Sequence, residues 1–258
     1  MPERLHTPRR LPLGAVLPLA ATGAWAAASM TGMLSGPMAV SPLEVLTTPF
    51  LDASGRELWL SLLATMLRVL VGGAIGGIVG LMLGYAAGMY RVASLGLAPT
   101  VHTIRQVALF AWIPLLTAWF GNGEGTKLVF IGLSTFFPLF LATEQGVRGT
   151  PEKLVDVART LKLKRWTRVS KLYLPAALPS IYVGLQIAVL SAWIGTIGAE
   201  YAIGNGRGLG SYIASARDQF RMDIVLVGVF ALAGGGVLLT TAVRSLTAQL
   251  SPWAQDQS

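Results

Sequence analysis

The chain has no cysteine and only two histidines, and charged residues make up just 12% of its 258 positions. The missing cysteine excludes disulfide scaffolds, thiolate metal sites and cysteine nucleophiles. His6 and His102 leave too little for a histidine metal cluster. The scarcity of charge excludes more. Soluble domains carry about 25% charged residues, so a chain at half that level, with 53% hydrophobic residues and a mean hydropathy of +0.61, is solvated largely by lipid.

What charge is present leans one way: 20 Lys and Arg against 12 Asp and Glu, a formal +8. A basic balance can signal nucleic acid, but that requires a basic face with recognition motifs. Here Arg4, Arg9 and Arg10 precede the first apolar run. Arg148, Lys153, Arg159, Lys162, Lys164, Arg165, Arg168 and Lys171 fill one polar interval, so eleven of the 20 basic residues sit in two short stretches. Short cytoplasmic loops retain Lys and Arg, which explains the clustering without any nucleic acid.

A bilayer core about 30 Å thick takes about 20 helical residues. About six apolar stretches of that order occur: Leu13 to Leu34, Leu60 to Tyr90, Leu97 to Phe120, Lys127 to Gly146, Pro179 to Ile203 and Ile224 to Leu246. The expected fold is an all-α membrane protein with about six transmembrane helices, residues 1–12 forming a cytoplasmic tail and 13–258 a single transmembrane domain. An even span count puts both termini and the Arg148 to Lys171 interval in the cytoplasm. The stretch from Ser35 to Leu58, with Glu44, Asp52 and Glu57 against a lone Arg56, then lies outside. A cleaved secretory signal is the alternative for the N-terminus, given Ala24, Ala26, Ala27 and Ala28 after a basic start.

Within the spans, Gly72, Gly76, Gly80, Gly84 and Gly88 repeat every four residues, a stripe for close helix packing either within one subunit or between two. Pro114 and Pro138 each remove an amide donor inside an expected span. Arg68, Arg105 and Glu200 are ionisable groups at or near membrane depth, where such groups face an interior or an aqueous path. They are candidate translocation-pathway residues, with snorkelling or structural pairing as the plainer alternative.

The most specific segment is TPEKLVDVARTLKLKRWTRVSKLYLPAALP, Thr150 to Pro179. It reads as two short helices and a turn, with Leu154, Ala158 and Leu161 on one face and Trp166, Val169 and Tyr173 on another. Leu174-Pro175 is expected to end the second before the next span. Such a basic amphipathic hairpin can meet anionic lipid heads or a soluble partner.

This segment resembles the cytoplasmic loop of permease subunits of bacterial ATP-binding-cassette importers. Asp156-Val157-Ala158 stands at the Glu-Ala-Ala start of that loop and Leu174-Pro175 at its Leu-Pro end. The strings LWLSLLATMLRVLVGGAIGGIVGLMLGY, AWIPLLTAWFGNGEGTKLVFIGLSTFFPLF, LPAALPSIYVGLQIA and GAEYAIGNGRGLGSYIASARD resemble the nitrate, sulfonate and taurine branch, from about Leu43 to Trp253. The resemblance implies a coupling loop at about 148–178 in which Asp156, Ala158, Arg159, Thr160, Leu161 and Lys162 meet the ATPase. It also implies a homodimer of permeases, two ATPase subunits that bind ATP and Mg, a periplasmic or lipid-anchored binding protein, and a place in the bacterial inner membrane. The pattern departs at Asp156 and Val157, at Ala108 where many members have proline, and at Lys162 where the family has glycine. A side chain at a turn that needs positive φ costs on the order of 1 kcal/mol.

No phosphate loop is present: GNGEGTK, Gly121 to Lys127, has Thr126 between glycine and lysine. No cofactor is expected in the chain itself, and this segment reads as a tight turn between spans. The cargo implied is a small anion, aliphatic sulfonate or taurine first, with nitrate, bicarbonate or a vitamin precursor open. The rivals from other classes are a membrane enzyme using Glu200, Asp218 and Asp223, and a channel or scaffold without an ATPase.

Overall fold

The computed structural model describes residues 13–31, 40–52 and 54–250. The basic tail 1–12, with Arg4, Arg9 and Arg10, and Ser35 to Ala39 of the expected outer segment lie outside the described residues. Every regular element among the described residues is helical.

Helix α1 (Leu13–Met30) is followed by α2 (Pro42–Leu51), a helix inside the stretch expected to lie outside. Ser41 starts α2 with a reciprocal capping box. The Glu44 amide donates to Ser41 Oγ (3.2 Å), and the Ser41 amide donates to Glu44 Oε2 (2.8 Å), which satisfies two orphan donors of the first turn. The Trp25 indole donates to Val40 O (3.1 Å) and ties α1 to that start.

Four helices have the length and apolarity to cross a bilayer: α3 (Ser54–Met89), α6 (Glu124–Arg148), the continuous helix Arg165–Ile203, and Met222–Thr247 within α11 (Met222–Leu250). A fifth crossing is a bent pair, α4 (Arg91–Ile104) and the segment Leu109–Phe120, which meet at 94°. Of the six expected spans, the first corresponds to α1, whose described apolar part, Val16–Met30, is shorter than a full crossing.

The third expected span is corrected, because no single helix runs from Leu97 to Phe120. The backbone breaks between Arg105 and Ala108, then resumes as a 3₁₀ turn (Leu109–Trp112) and α5 (Ile113–Phe120). Pro114 lies in the first turn of α5, where its missing amide costs nothing. It starts a helix and does not bend one.

The start of the fifth span is corrected too. Leu174-Pro175 does not end the hairpin helix. The short helix α8 (Arg165–Arg168) passes through a π-helical turn (Val169–Tyr173) directly into α9 (Leu174–Ile203), and Pro175 falls in the first turn after the π segment. One wide turn there re-registers the backbone bonds around a residue without an amide.

The glycine ladder is an intrachain seam. A Cβ at Gly76 would overlap Gly132 O, one at Gly80 would lie 2.7 Å from Phe136 O, and one at Gly88 would lie 2.7 Å from Val147 Cβ. Positions rise together along both helices, so α3 and α6 run parallel. By the same contacts α9 is antiparallel to α6: Gly146 meets Ala177, Gly184 meets Ala142 and Gly195 meets Ser134. On the far side, Gly235 and Gly236 of α11 receive the Trp193 ring of α9, within a core that includes Val69, Ile131 and Leu209.

Replacing Gly76 by Ala is expected to lower the melting temperature of the detergent-purified chain sharply, because overpacking against backbone costs about 1–3 kcal/mol or more. Gly96→Ala, where the added carbon meets nothing within 4 Å, should leave it within about 0.5 kcal/mol of the parent. Equal melting curves for the two variants would refute the seam.

Candidate functional site

The parallel seam brings the start of α6 beside the first half of α3, and the end of α9 arrives there from the other direction. Arg68 of α3 sits at this junction. Its Nε and Nη2 donate to the two oxygens of Glu124 (2.6 and 2.8 Å), while Nη1 donates to Glu200 Oε1 (2.6 Å). The planar guanidinium suits this fork, which a lysine could not reproduce.

Glu200, fully buried, is wrapped by the chain that follows it. Gly204 caps α9 in the left-handed region at φ 67°, and the backbone returns as α10 (Leu209–Asp218). The Gly210 amide donates to Glu200 Oε2 (3.0 Å). The Thr65 hydroxyl lies 2.9 and 3.0 Å from the two Glu200 oxygens and accepts from the Leu209 amide (2.9 Å). A Cβ at Gly208 would overlap the Glu200 carboxyl, so glycine there permits the loop to close. Lys127, also fully buried, donates to Asn205 O and lies 3.3 Å from Glu124 Oε1. Two cations and two carboxylates thus make a neutral cluster that joins α3, α6, α9 and the loop before α10.

At the other end of the seam a second cluster gathers on Glu144, which is 1% exposed. His102 Nε2 lies 3.1 Å from Glu144 Oε2, Arg148 Nη2 lies 3.0 Å from Oε1, and Arg148 also donates to Ser94 Oγ. Here α4 is bound to α6. Beyond this end projects the hairpin of α7 (Glu152–Thr160) and α8.

The expected stripe on α7 divides. Ala158 is buried, while Leu154 and Leu161 are exposed together with Val157, and Trp166 on α8 is 78% exposed. Asp156 pairs with Arg159 (3.3 Å), and the Thr160 hydroxyl donates to Asp156 O (2.9 Å), so these polar groups brace the helix. Lys162 takes φ 48°. The Leu163 amide reaches Ala158 O (3.1 Å) and the Lys162 amide reaches Arg159 O (2.9 Å), the paired bonds of a Schellman end, whose left-handed position glycine normally fills.

Of the three pathway candidates, Arg68 and Glu200 are joined directly and Arg105 is not with them. Arg105 lies at the break after α4, exposed, against α6 and α9. Sequence reasoning missed Glu124, Lys127, Thr65 and Glu144. Glu124 and Lys127 belong to the segment read only as a turn. The rule that flagged Arg68 applies equally to charged residues at the ends of an apolar run, and would have found both these and Glu144.

The three carboxylates of the enzymatic rival are each engaged by an arginine: Glu200 by Arg68, Asp218 by Arg217 (2.8 Å) and Asp223 by Arg221 (2.6 Å). Arg221, on the loop before α11, also bonds Asp52 (2.6 Å), and its two carboxylate partners raise its pKa above the ordinary value.

Lipid-length helices, a broken crossing, buried charge at both ends of one seam and a projecting basic hairpin define a multi-span, all-helical membrane protein. Residues 76–255 match the family described as binding-protein-dependent transport system inner membrane component, and the chain belongs to that family. It is 35% identical to the aliphatic sulfonates transport permease protein SsuC of Bacillus subtilis, over 93% of this chain and 87% of that protein. Identity to the taurine transport system permease protein TauC of Escherichia coli is 31%, over 97% of this chain and 96% of the relative. Identity to the bicarbonate transport system permease protein CmpB of Synechococcus elongatus is also 31%, over 79% of this chain and 74% of the relative. The chain is an ATP-binding-cassette importer permease of the nitrate, sulfonate and taurine branch, and a non-catalytic subunit.

Two outcomes follow from this geometry. Arg68→Ala strands a buried carboxylate and should cost about 3–5 kcal/mol, more than Glu124→Ala, whose carboxylate is 55% exposed. Thermal unfolding of the single and double variants checks this, and additive losses would remove the coupling. Lys162→Gly should slow amide exchange at the end of α7 about fivefold, by relieving about 1 kcal/mol of backbone strain.

Proposed function

We propose that two copies of this chain form the transmembrane path of an ATP-driven importer for a small anionic solute, an aliphatic sulfonate or taurine. Both termini and the α7–α8 hairpin lie in the cytoplasm of a bacterial cell, and the cluster around Arg68 lies at the outer end. The observation that carries this reading is the hairpin. It combines the densest positive charge in the sequence, as a cytoplasmic loop requires, with Leu154, Val157, Leu161 and Trp166 exposed and unpacked. Exposed apolar side chains rimmed by charge mark a surface for a partner protein.

That partner is the ATPase, which binds ATP and Mg. Its two copies receive the hairpins of two permeases, with Asp156, Ala158, Arg159, Thr160, Leu161 and Lys162 shaping the docked helix. The basic residues around it also lie within reach of anionic lipid heads. A periplasmic or lipid-anchored binding protein delivers cargo to the outer end, where Arg68, Glu124 and Glu200 hold the path shut. Closure of the ATPase dimer draws the hairpins together and favours an outward-open path, and hydrolysis restores the closed cluster. The loaded binding protein drives this cycle only by binding one of the two states more tightly than the other. Sulfonate is preferred as cargo because relatives named for sulfonates and taurine match nearly the whole chain.

Leu161→Asp is expected to abolish co-purification of the ATPase while the chain still inserts and runs as a monodisperse species. Undiminished ATPase recovery would overturn the docking face.

A further inference from the structure

Arg105 has no side-chain hydrogen bond or ion pair to any other described residue, in contrast to Arg68, whose donors are taken by two carboxylates. It faces an open cleft of about 490 Å³ between α6 and α9, within the size range of small-molecule sites. The depth of this cleft matters. Its α6 wall runs from Phe137 to Gln145, eleven to three positions before the end of α6 at Arg148, so the cleft that Arg105 lines extends about 5–16 Å along the apolar helix from that end. An unpaired arginine lining such a cleft is costly in lipid and faces water or a polar ligand. The backbone break at Arg105 to Ala108 points the same way, since irregular backbone at membrane depth is tolerated where it lines a cavity or is covered by protein.

The lining has two chemical halves. Gln145 of α6 and Ser180 of α9 stand with Arg105, while Phe137, Leu141 and Val183 are apolar. The floor is closed because Gly184 lets α9 press against Ala142, where a Cβ would overlap.

We propose that this cleft is an anion subsite of the path, taking a small organic oxyanion of the sulfonate class. Its head accepts the Arg105 fork and the Gln145 and Ser180 donors, and its short alkyl tail lies on Phe137, Leu141 and Val183. The guanidinium matches an oxyanion bidentately, and the apolar half distinguishes a tailed anion from nitrate or bicarbonate, which have nothing to place there. This rests on the importer reading and deepens it by separating the two arginines: Arg68 holds the gate and Arg105 meets the cargo.

The test uses the full complex of permease, ATPase and binding protein in proteoliposomes, with ethanesulfonate, hexanesulfonate, nitrate and bicarbonate as probes. Arg105→Gln and Gln145→Leu should each lower sulfonate uptake at least tenfold while the complex still assembles, with Arg105→Lys keeping part of it. Leu141→Ala should lower hexanesulfonate uptake several-fold more than ethanesulfonate uptake. Parental uptake by both Arg105→Gln and Gln145→Leu overturns the site while the importer stands. Uptake of nitrate or bicarbonate alone overturns the tail half. Failure of the parent chain to recover an ATPase overturns the importer reading and the subsite with it.

Discussion

The rest of the structure depends on the backbone contact between α3 and α6. Five glycines in register on α3, with Gly132 opposite, let the two helices touch along most of the seam. In lipid this contact cannot rely on hydrophobic burial, and association comes from dispersion over a surface with no side chains in the way. Because the pair is parallel, the chain must recross the bundle between them. The bent α4–α5 excursion is that return path. The seam therefore requires a return crossing and sets the meeting of Arg68 with Glu124.

Charge is concentrated at the two ends of this seam. At one end Arg68, Lys127 and Glu200 are nearly dry, the half-exposed Glu124 completes a mutually neutralising set of four, and the loop before α10 is moulded around Glu200. A buried charge pair of this kind adds little net stability, because desolvation offsets much of the attraction, yet losing one partner is costly. It thus selects an arrangement more than it strengthens one. At the other end His102 and Arg148 converge on Glu144 from different helices and hold α4 where the chain turns toward the hairpin.

Much of this was legible in the sequence. The apolar runs gave the lipid-length helices, the clustering of Lys and Arg marked the hairpin, and the repeat of Gly72 to Gly88 identified a packing face. The capping box at Ser41 to Glu44 is equally readable, a serine followed three positions later by glutamate. What could not be read was direction and partner. Hydropathy is the same for parallel and antiparallel neighbours, so nothing local told that Glu124 would face Arg68 across 56 positions. Likewise the break at Arg105 lacks the proline that often marks such a place, while Pro114 sits harmlessly at a helix start. Lys162 shows the opposite case: its departure from a glycine position predicted a strained turn, and its φ is positive.

The π-helical join between α8 and α9 leaves one uninterrupted helix of 39 residues, Arg165–Ile203, about 58 Å long at 1.5 Å per residue. Such a rod has leverage. Pivoted near Arg165, a tilt of about 3° sweeps the far end through about 3 Å, comparable with the whole length of the 2.6 Å bond between Arg68 and Glu200. A small push on the hairpin is therefore geometrically amplified where the carboxylate sits, so that parting an ion pair requires no hinge in the rod itself.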